Sequence, residues 1–182
     1  DAQESRGLGD VYKRQVFELE KSDLEGFDVV VNALGFPGPK DYPLHSTSLK
    51  HIADLLAGSE ARLLIVGGAG SLIVDDKGTT LDHIPGFPEA FKGTANAMAK
   101  ALNELRARDD VKWTYVSPAA DYRPDGERTG RYTIAGEHFT TNDAGESYLS
   151  YADMAQAMLD EAETGTHVRE RISVYTCLLY TS

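Results

Sequence analysis

Three continuous apolar segments, separated by helix-like segments, constrain the fold of this chain more than any other feature. They span residues 27–34, 61–68 and 111–118. A strand that is apolar throughout belongs in a sheet that is covered on both faces, which is typical of parallel sheets. The sequence therefore predicts an α/β fold, in which strands alternate with helices and right-handed crossovers join parallel strands.

Apolar residues recur at helical spacing between and after these strands. The three predicted buried faces are Leu49, Ile52, Ala53 and Leu56; Ala95, Met98, Ala99 and Leu102; and Ala155, Met158, Leu159 and Ala162. Residues 150–153, SYAD, have the pattern of a capping box that opens the third helix. We further predict a last strand over residues 169–174 and a short hairpin over residues 131–142, which turns at residues 135–136.

Charge and composition exclude several classes of partner. The formal net charge is −11, so the surface repels phosphate backbones and we expect no nucleic-acid partner. No apolar run approaches membrane-spanning length, so we expect no membrane partner either. The histidines show no ligand spacing backed by carboxylates, and the sequence predicts no metal site. They are His45, His51, His83, His138 and His167.

The two ends of the chain share one DNA origin when they are back-translated. The stretch DVYKRQ, residues 10–15, is encoded by GATGTGTATAAGAGACAG, whose reverse complement, read one base out of frame, encodes the terminal CLLYTS. The pair resembles a translated transposon-end adaptor. We therefore expect residues 1–15 and 177–182 to be non-native and residues 16–176 to form a partial natural domain. The only cysteine, Cys177, then lies outside that domain, which is compatible with a cytoplasmic protein.

Small residues follow each of the three predicted strands. These strand ends are residues 32–35, 67–71 and 117–121. Ligands of open parallel sheets bind beyond the carboxyl ends of the strands, and small residues let a flat ligand approach the backbone. Small residues also serve tight turns and helix–sheet packing. Neither of two glycine stretches predicts a phosphate-binding loop. Residues 7–12 belong to the adaptor and lack the third glycine, and residues 67–72 are followed by IVDDKGTT in place of an amphipathic helix.

Four stretches, taken in order, resemble a known family. They are SDLEGFDVVVNALG, RLLIVGGAGSL, VKWTYVSPAADYRPDGERTGRY and GESYLSYADMAQAMLDE. They are similar to the atypical short-chain dehydrogenase/reductases with an NAD(P)H-binding Rossmann domain, and among these to the NADH-flavin reductases, relatives of NmrA-like proteins. The resemblance covers residues 16–174. It implies a doubly wound parallel-sheet Rossmann-like fold that lacks its first two strands and its glycine-rich turn, roughly 35–45 residues.

The resemblance also implies where NAD(P)H would bind. In such a protein Val16 and Phe17 would lie beside the adenine, and residues 16–20 would be a remnant of the third strand. Ala33 and Gly35 would lie behind the cofactor's ribose. Gly68 and Ala69 would flank the nicotinamide ribose, and Pro118 and Ala119 would border the nicotinamide ring.

The resemblance fails at the proton-transfer residues. Many short-chain dehydrogenases use a Tyr-x-x-x-Lys pair, but the corresponding helix has Phe91 and Ala95. An acceptor that needs little help from the protein, such as a flavin or a quinone-like molecule, fits this pattern, because the cofactor carries the difficult chemistry. Ser71 is the candidate catalytic residue, with a hydroxyl for a carboxamide or substrate carbonyl, although a turn or helix-capping serine is the simpler explanation.

The sequence thus leads to an expected function and two alternatives. The expected function is that of an NAD(P)H-dependent oxidoreductase with a small-molecule acceptor, in the form of a fragment that is inactive as given. One alternative is an NmrA-like redox sensor, which binds dinucleotide and a protein partner without turnover. The other is an NAD-dependent epimerase or dehydratase, which the missing Tyr-x-x-x-Lys pair disfavours.

Overall fold

A mainly parallel five-stranded sheet forms the centre of the protein. The computed structural model describes residues 15–177; the expected non-native residues 1–14 and 178–182 lie outside this range. The strands of the sheet are β1 (Val29–Asn32), β2 (Arg62–Val66), β3 (Lys112–Ser117), β7 (Glu170–Thr176) and β5 (Tyr132–Ala135), in that spatial order. The predicted α/β class is confirmed.

The first four strands of the sheet run parallel and β5 runs antiparallel at one edge. Val29 pairs with Arg62, and Arg62 pairs with Lys112, so β1, β2 and β3 begin at one level. Two short strands, β4 (Asp121–Arg123) and β6 (Tyr148–Ser150), pair in parallel as a separate sheet next to the end of β3. Near their carboxyl ends Asn32 pairs with Ile65 and Ile65 with Tyr115, so β1, β2 and β3 end on the same edge of the sheet.

Helices cover the two faces of the sheet and form two cores. The helices are α1 (Lys21–Leu24), α2 (Pro43–Leu56), α3 (Glu89–Arg106) and α4 (Tyr151–Thr164). Leu63 and Trp113 point toward α2 and α3, whereas their neighbours Leu64 and Thr114 point the other way, Leu64 into the core with α4. This alternation follows from the two-residue period of a strand and explains why the central strands are apolar throughout.

The predicted buried face of α2 is confirmed, but that of α4 is wrong. Leu49, Ile52, Ala53 and Leu56 are all buried. In α4, Leu159 is 61% exposed and Ala155 is also exposed, while the buried face holds Met154, Ala157, Met158 and two carboxylates, Asp153 and Glu161. The predicted cap of α4 is present, since Ser150 Oγ accepts a hydrogen bond of 3.0 Å from the Asp153 N–H.

Two strand predictions are wrong. The sequence predicts that residues 16–20 extend a third strand, but Val16–Glu18 is a 3₁₀ helix that packs on α2 outside the sheet. It also predicts a hairpin over residues 131–142, but β5 pairs with β7 and the residues after it leave the sheet. His138 instead forms a bridge with Ile73. All four residues of β5 pair with β7, from Tyr132 with Thr176 to Ala135 with Ser173.

Candidate functional site

The three predicted strand ends lie on one edge of the sheet. Asn32 at the end of β1 pairs with Ile65 of β2, and the Gly67 N–H donates to the Val116 carbonyl of β3 at 2.8 Å. Residues 33–35, 67–70 and 118–120 therefore leave neighbouring strands side by side. Adjacent strands lie about 4.8 Å apart, so the three loops together span a distance that suits a flat ligand.

The glycines of the second loop are required by packing inside the protein. A Cβ added to Gly67 would lie 2.0 Å from the ring of Tyr115, and one added to Gly70 would lie 2.7 Å from the Cβ of Ala95. A Cβ on Gly68 would meet the Met98 sulfur at 3.0 Å. The protein core thus explains Gly67 and Gly70 without any ligand, and it partly explains Gly68.

Gly35 differs from these glycines because nothing in the fold requires it. It is exposed, its φ is not in the left-handed region, and an added Cβ would meet no atom within 4 Å. The turn before it is shaped by Asn32, whose side-chain oxygen accepts from the Leu34 N–H at 3.0 Å. Gly35 therefore presents a bare backbone to open space at the end of β1.

The other predicted site residues fall into two groups. Ala33 is exposed and Ala69 is half-buried at the same edge, whereas Pro118 and Ala119 are buried at the end of β3. Phe17 lies apart from all of them. The Phe17 ring is 5.8 Å from the ring of His51, which lies in the middle of α2. Val16 packs against the core between the sheet and helices α2 and α3. The structure brings six of the eight predicted cofactor residues to one edge, and Val16 and Phe17 lie elsewhere.

Ser71 is held by a buried arginine. The Arg171 side chain is 1% exposed, and its Nη1 donates to Ser71 Oγ at 3.2 Å and to Ser117 Oγ at 3.3 Å. Its Nη2 donates to the Ser71 carbonyl at 2.9 Å, and its Nε donates to Glu137 Oε2 at 2.8 Å. One guanidinium thus ties the loops after β2 and β3 together. Because Ser71 Oγ accepts from Arg171, its own O–H remains a donor.

The charge on this network is balanced by Glu137. Burial opposes ionisation of this carboxyl, but hydrogen bonds from Arg171 and Arg106 hold the pKa of Glu137 below its usual range. Arg106 Nη2 contacts both Glu137 oxygens at 2.8 Å. The carboxylate therefore stays ionised and compensates the buried guanidinium, as a buried charge requires.

The tyrosines near the strand ends are protonated at neutral pH. Burial raises the pKa of Tyr115 to about 12, although a backbone hydrogen bond from Gly68 and the charge of Arg171 oppose the rise. Burial, together with Tyr151, also raises the pKa of Tyr122 to about 12. The rings of Tyr122 and Tyr151 stack with centroids 4.1 Å apart. These phenols are not bases, and the stacked pair offers a flat apolar surface near the end of β3.

The structure reveals one pair of polar residues that the sequence patterns missed. His83 Nδ1 lies 2.7 Å from Asp82 Oδ1, and Thr80 Oγ1 also donates to that oxygen. Asp82 is held next to the second loop, because its N–H donates to the Gly70 carbonyl at 2.9 Å. The sequence signal was an aspartate directly before a histidine in the loop after β2, which a search for metal-ligand spacing passes over.

A cavity of ≈ 430 Å³ lies away from these loops, between α2 and α3. Leu49, Ala53 and Leu105 line it, with charged side chains among its lining residues, of which Lys100 and Glu104 pair at 3.7 Å. None of its lining residues belongs to a strand end. We assign it to imperfect packing of the two helices and not to the site at the strand ends.

The residues at the strand ends fit one half of a nicotinamide dinucleotide. Gly35 leaves the backbone open at the end of β1, and Pro118 and Ala119 are buried apolar residues at the end of β3, two strands away. Between residues 15 and 177, no G-x-x-G-x-x-G turn opens a helix, so the described part has no cradle for the pyrophosphate. Within the same range, no group of three metal-ligating side chains occurs, and no helix is both long and apolar enough to cross a membrane.

The sheet and its edge of small residues define a class of protein: the Rossmann-like NAD(P)-binding proteins. No family model matches the sequence. The chain belongs to the family of YwnB, an uncharacterised protein of Bacillus subtilis. The two are 42% identical over 166 residues, which cover 90% of this chain and 78% of YwnB.

Two solved structures extend this comparison. SP1627 of Streptococcus pneumoniae, a candidate NADH-flavin reductase, superposes with a TM-score of 0.91 at 48% identity, over 96% of this chain and 84% of its own. A candidate epimerase from Bacteroides thetaiotaomicron superposes with a TM-score of 0.78 at 30% identity, over 91% of this chain and 76% of its own. Each relative is thus longer than the part that this chain matches.

Proposed function

We propose that this protein is part of an NAD(P)H-dependent oxidoreductase whose acceptor is a flat molecule such as a flavin or a quinone. The observation that carries the proposal is the convergence of three small-residue loops on one edge of the sheet, with Gly35 open there for no structural reason. The similarity to a candidate NADH-flavin reductase supports the acceptor class. We also propose that the protein acts in the cytoplasm, because nicotinamide dinucleotides are common reductants there.

In this proposal the chain binds and orients, and NAD(P)H, when bound, supplies the hydride. Pro118 and Ala119 exclude water on one side of the reacting ring, since both are buried at the end of β3. Ser71, fixed by Arg171, directs its O–H toward a carboxamide or an acceptor carbonyl. The stacked rings of Tyr122 and Tyr151 give an aromatic acceptor a surface for offset stacking.

The experiment uses an extended protein, defined as residues 16–176 joined to the preceding segment that the family resemblance implies. We expect it to oxidise NADH or NADPH steadily in the presence of riboflavin or FMN, followed by absorbance of the reduced nicotinamide. We expect residues 1–182 alone to show no such turnover, because their described part has no pyrophosphate cradle. Dinucleotide binding without oxidation of any flavin or quinone would contradict the proposal and favour the redox-sensor alternative.

The epimerase alternative rests on the similarity to the candidate epimerase and is tested in the same assay. Phe91 and Ala95 stand at the positions where many short-chain dehydrogenases have tyrosine and lysine. Phe91 is 63% exposed, and Ala95 packs against Gly70, so neither supplies a proton. Conversion of a sugar nucleotide with bound NAD⁺ and no net oxidation would favour the epimerase.

A further inference from the structure

Asp82 and His83 form a hydrogen-bonded pair that is built like a proton donor with its orienting group. The Asp82 side chain is 4% exposed and the His83 side chain is 70% exposed. A carboxylate only accepts hydrogen bonds, so Nδ1 of His83 carries the hydrogen in the 2.7 Å contact. That bond fixes the ring and leaves Nε2 on the exposed side.

Thr80 completes the support of the carboxylate. Its hydroxyl donates to Asp82 Oδ1, and it also lies 2.9 Å from His83 Nδ1. The three residues belong to one short turn, the 3₁₀ helix Leu81–His83 and the residue before it. Because the carboxylate is buried, water does not compete for its oxygens, and the contact holds the exposed His83 ring more firmly than an exposed carboxylate would.

The pair sits beside the candidate site. The Asp82 N–H donates to the Gly70 carbonyl, and the Cβ of Asp82 would lie 3.6 Å from a Cβ placed on Gly70. The same position on Gly70 is 2.7 Å from the Cβ of Ala95. Asp82 and Ala95 thus flank the same point of the second loop. Ala95 stands at one of the two positions where many short-chain dehydrogenases have a proton-transfer residue and this chain has none.

The other carboxylate–histidine pair of the described residues lies at the opposite end of the sheet, where the parallel strands begin. His167 Nδ1 is 2.8 Å from Glu161 Oε2, and His167 precedes β7, at the amino ends of the strands. Its side chain is 25% exposed, and Glu161 also accepts from the His167 N–H at 2.9 Å. This pair closes the connection from α4 to β7. It therefore provides a chemically matched control far from the strand ends.

We propose that His83 is the general acid of this site, oriented by Asp82; the proposal rests on the reductase function proposed above. His83 Nε2 gives its proton to an oxygen or nitrogen of the acceptor as the acceptor takes up the hydride. The Nε2–H bond breaks, an O–H or N–H bond forms, and the acceptor gains two electrons that NAD(P)H loses. A proton from water then restores the charged ring. Asp82 is a positioning residue, since it acts through His83.

The kinetic test uses the extended protein with a quinone and with FMN. We expect His83→Ala to lower kcat by about 100-fold or more, with an unchanged KM for the dinucleotide, because general acids contribute about 10²–10⁴-fold. Added imidazole should restore part of the lost rate at the vacated, exposed position. Asp82→Asn should lower kcat without imidazole rescue. The control His167→Gln should retain the kcat of the parent.

A second readout does not depend on turnover. Diethyl pyrocarbonate acylates exposed imidazole nitrogens, and mass spectrometry measures the extent at each histidine. We expect NADP⁺ together with FMN, a pair that cannot react, to slow the modification of His83 and leave His167 unaffected. This readout locates His83 in the site even if the acceptor chosen for the kinetic test is a poor one.

The outcomes separate the inference from the function on which it rests. A parent protein that oxidises no NAD(P)H overturns the proposed function, whereas unprotected modification of His83 overturns its place in the site. An active parent whose His83→Ala variant keeps full kcat overturns the inference alone. A lost rate that imidazole does not restore, with His83 unprotected, also overturns it, since that result indicates a structural histidine.

Discussion

Gly35 and Gly67 lie at the same edge of the sheet, but a glycine is present at each position for a different physical reason. The Tyr115 ring occupies the space where a Cβ on Gly67 would stand, so the fold itself excludes a side chain there. Around Gly35 an added Cβ meets nothing, and the fold would accept one. A position that is open in the protein alone, but lies at the end of a central strand, is where a ligand would approach the backbone.

We predict that Gly35→Val in the extended protein weakens dinucleotide binding about tenfold or more, which corresponds to about 1.4 kcal/mol. The free energy of unfolding should stay within about 0.5 kcal/mol of the parent, as for other exposed positions. Gly68→Val should show the same order of effects with a larger loss of stability, because Met98 must move. Calorimetric titration and urea unfolding measure the two quantities.

Gly67→Ala is the matched control for this prediction. It adds a single carbon against the Tyr115 ring and should lower the free energy of unfolding by about 1–3 kcal/mol through overpacking. Equal losses of stability in Gly35→Val and Gly67→Ala, with unchanged affinity of the folded Gly35→Val protein, would show that Gly35 also serves packing.

At the scale of elements, helix faces made of apolar residues were predictable from the sequence, whereas a face that includes buried polar groups was not. The face of α2 was predictable because its four inward residues are apolar. The face of α4 was not, because Asp153 and Glu161 are buried there. Asp153 accepts from the Thr129 and Gly130 N–H groups at 2.9 and 2.8 Å, and Glu161 accepts from His167. Partners that lie outside the helix leave no periodic signal within it.

The same reasoning applies to the site. The three loops were predictable, since each follows an apolar strand and consists of small residues. Arg171 was not, because polar and apolar residues are mixed along β7 and nothing in its sequence marks this arginine as buried. Its partners Ser71 and Glu137 come from separate loops. The positions of Val16 and Phe17 rested on a strand that the structure replaces with a 3₁₀ helix.

The contact between Glu137 and Arg171 joins β7 to the loop after β5. We predict that its contribution to the free energy of unfolding depends on pH. Glu137→Gln should lower the free energy of unfolding of the extended protein by about 3 kcal/mol at neutral pH, because it leaves a buried guanidinium with a weaker partner. The pKa of Glu137 is lowered in the folded state, so its contribution is present above the usual pKa of glutamate and is lost as pH falls below it.

Urea unfolding between about pH 7 and about pH 3 measures this effect, because the loss begins below the usual pKa of glutamate, 4.5. The parent should lose more stability on acidification than Glu137→Gln does. The control is Asp121→Asn, which breaks the exposed pair with Arg123 and should cost about 0–1 kcal/mol. If the parent and Glu137→Gln lose equal stability as the pH falls, then the pKa of Glu137 does not change on folding, and the prediction is contradicted.

At the scale of the whole molecule, the sheet has one open apolar edge. Among residues 15–177, β1 pairs with β2 alone, and it carries Val31 at 52% exposure between Phe27 at 61% and Leu34 at 42%. Apolar edge strands of this kind are a known aggregation hazard. That the natural domain has further strands at this edge stays a prediction; the chain covers 78% of YwnB and 84% of SP1627.

The central claim is that NAD(P)H binds at the carboxyl edge of this sheet, and hydrogen exchange of the extended protein with and without NADPH tests it most directly. We predict that NADPH slows amide exchange in residues 33–35, 67–70 and 119–120 and leaves exchange around the cavity between α2 and α3 unchanged. Residues 1–182 alone should show no protection. Protection confined to residues 46–53 and 100–108, around the cavity between those helices, or no protection in the extended protein, would contradict the account.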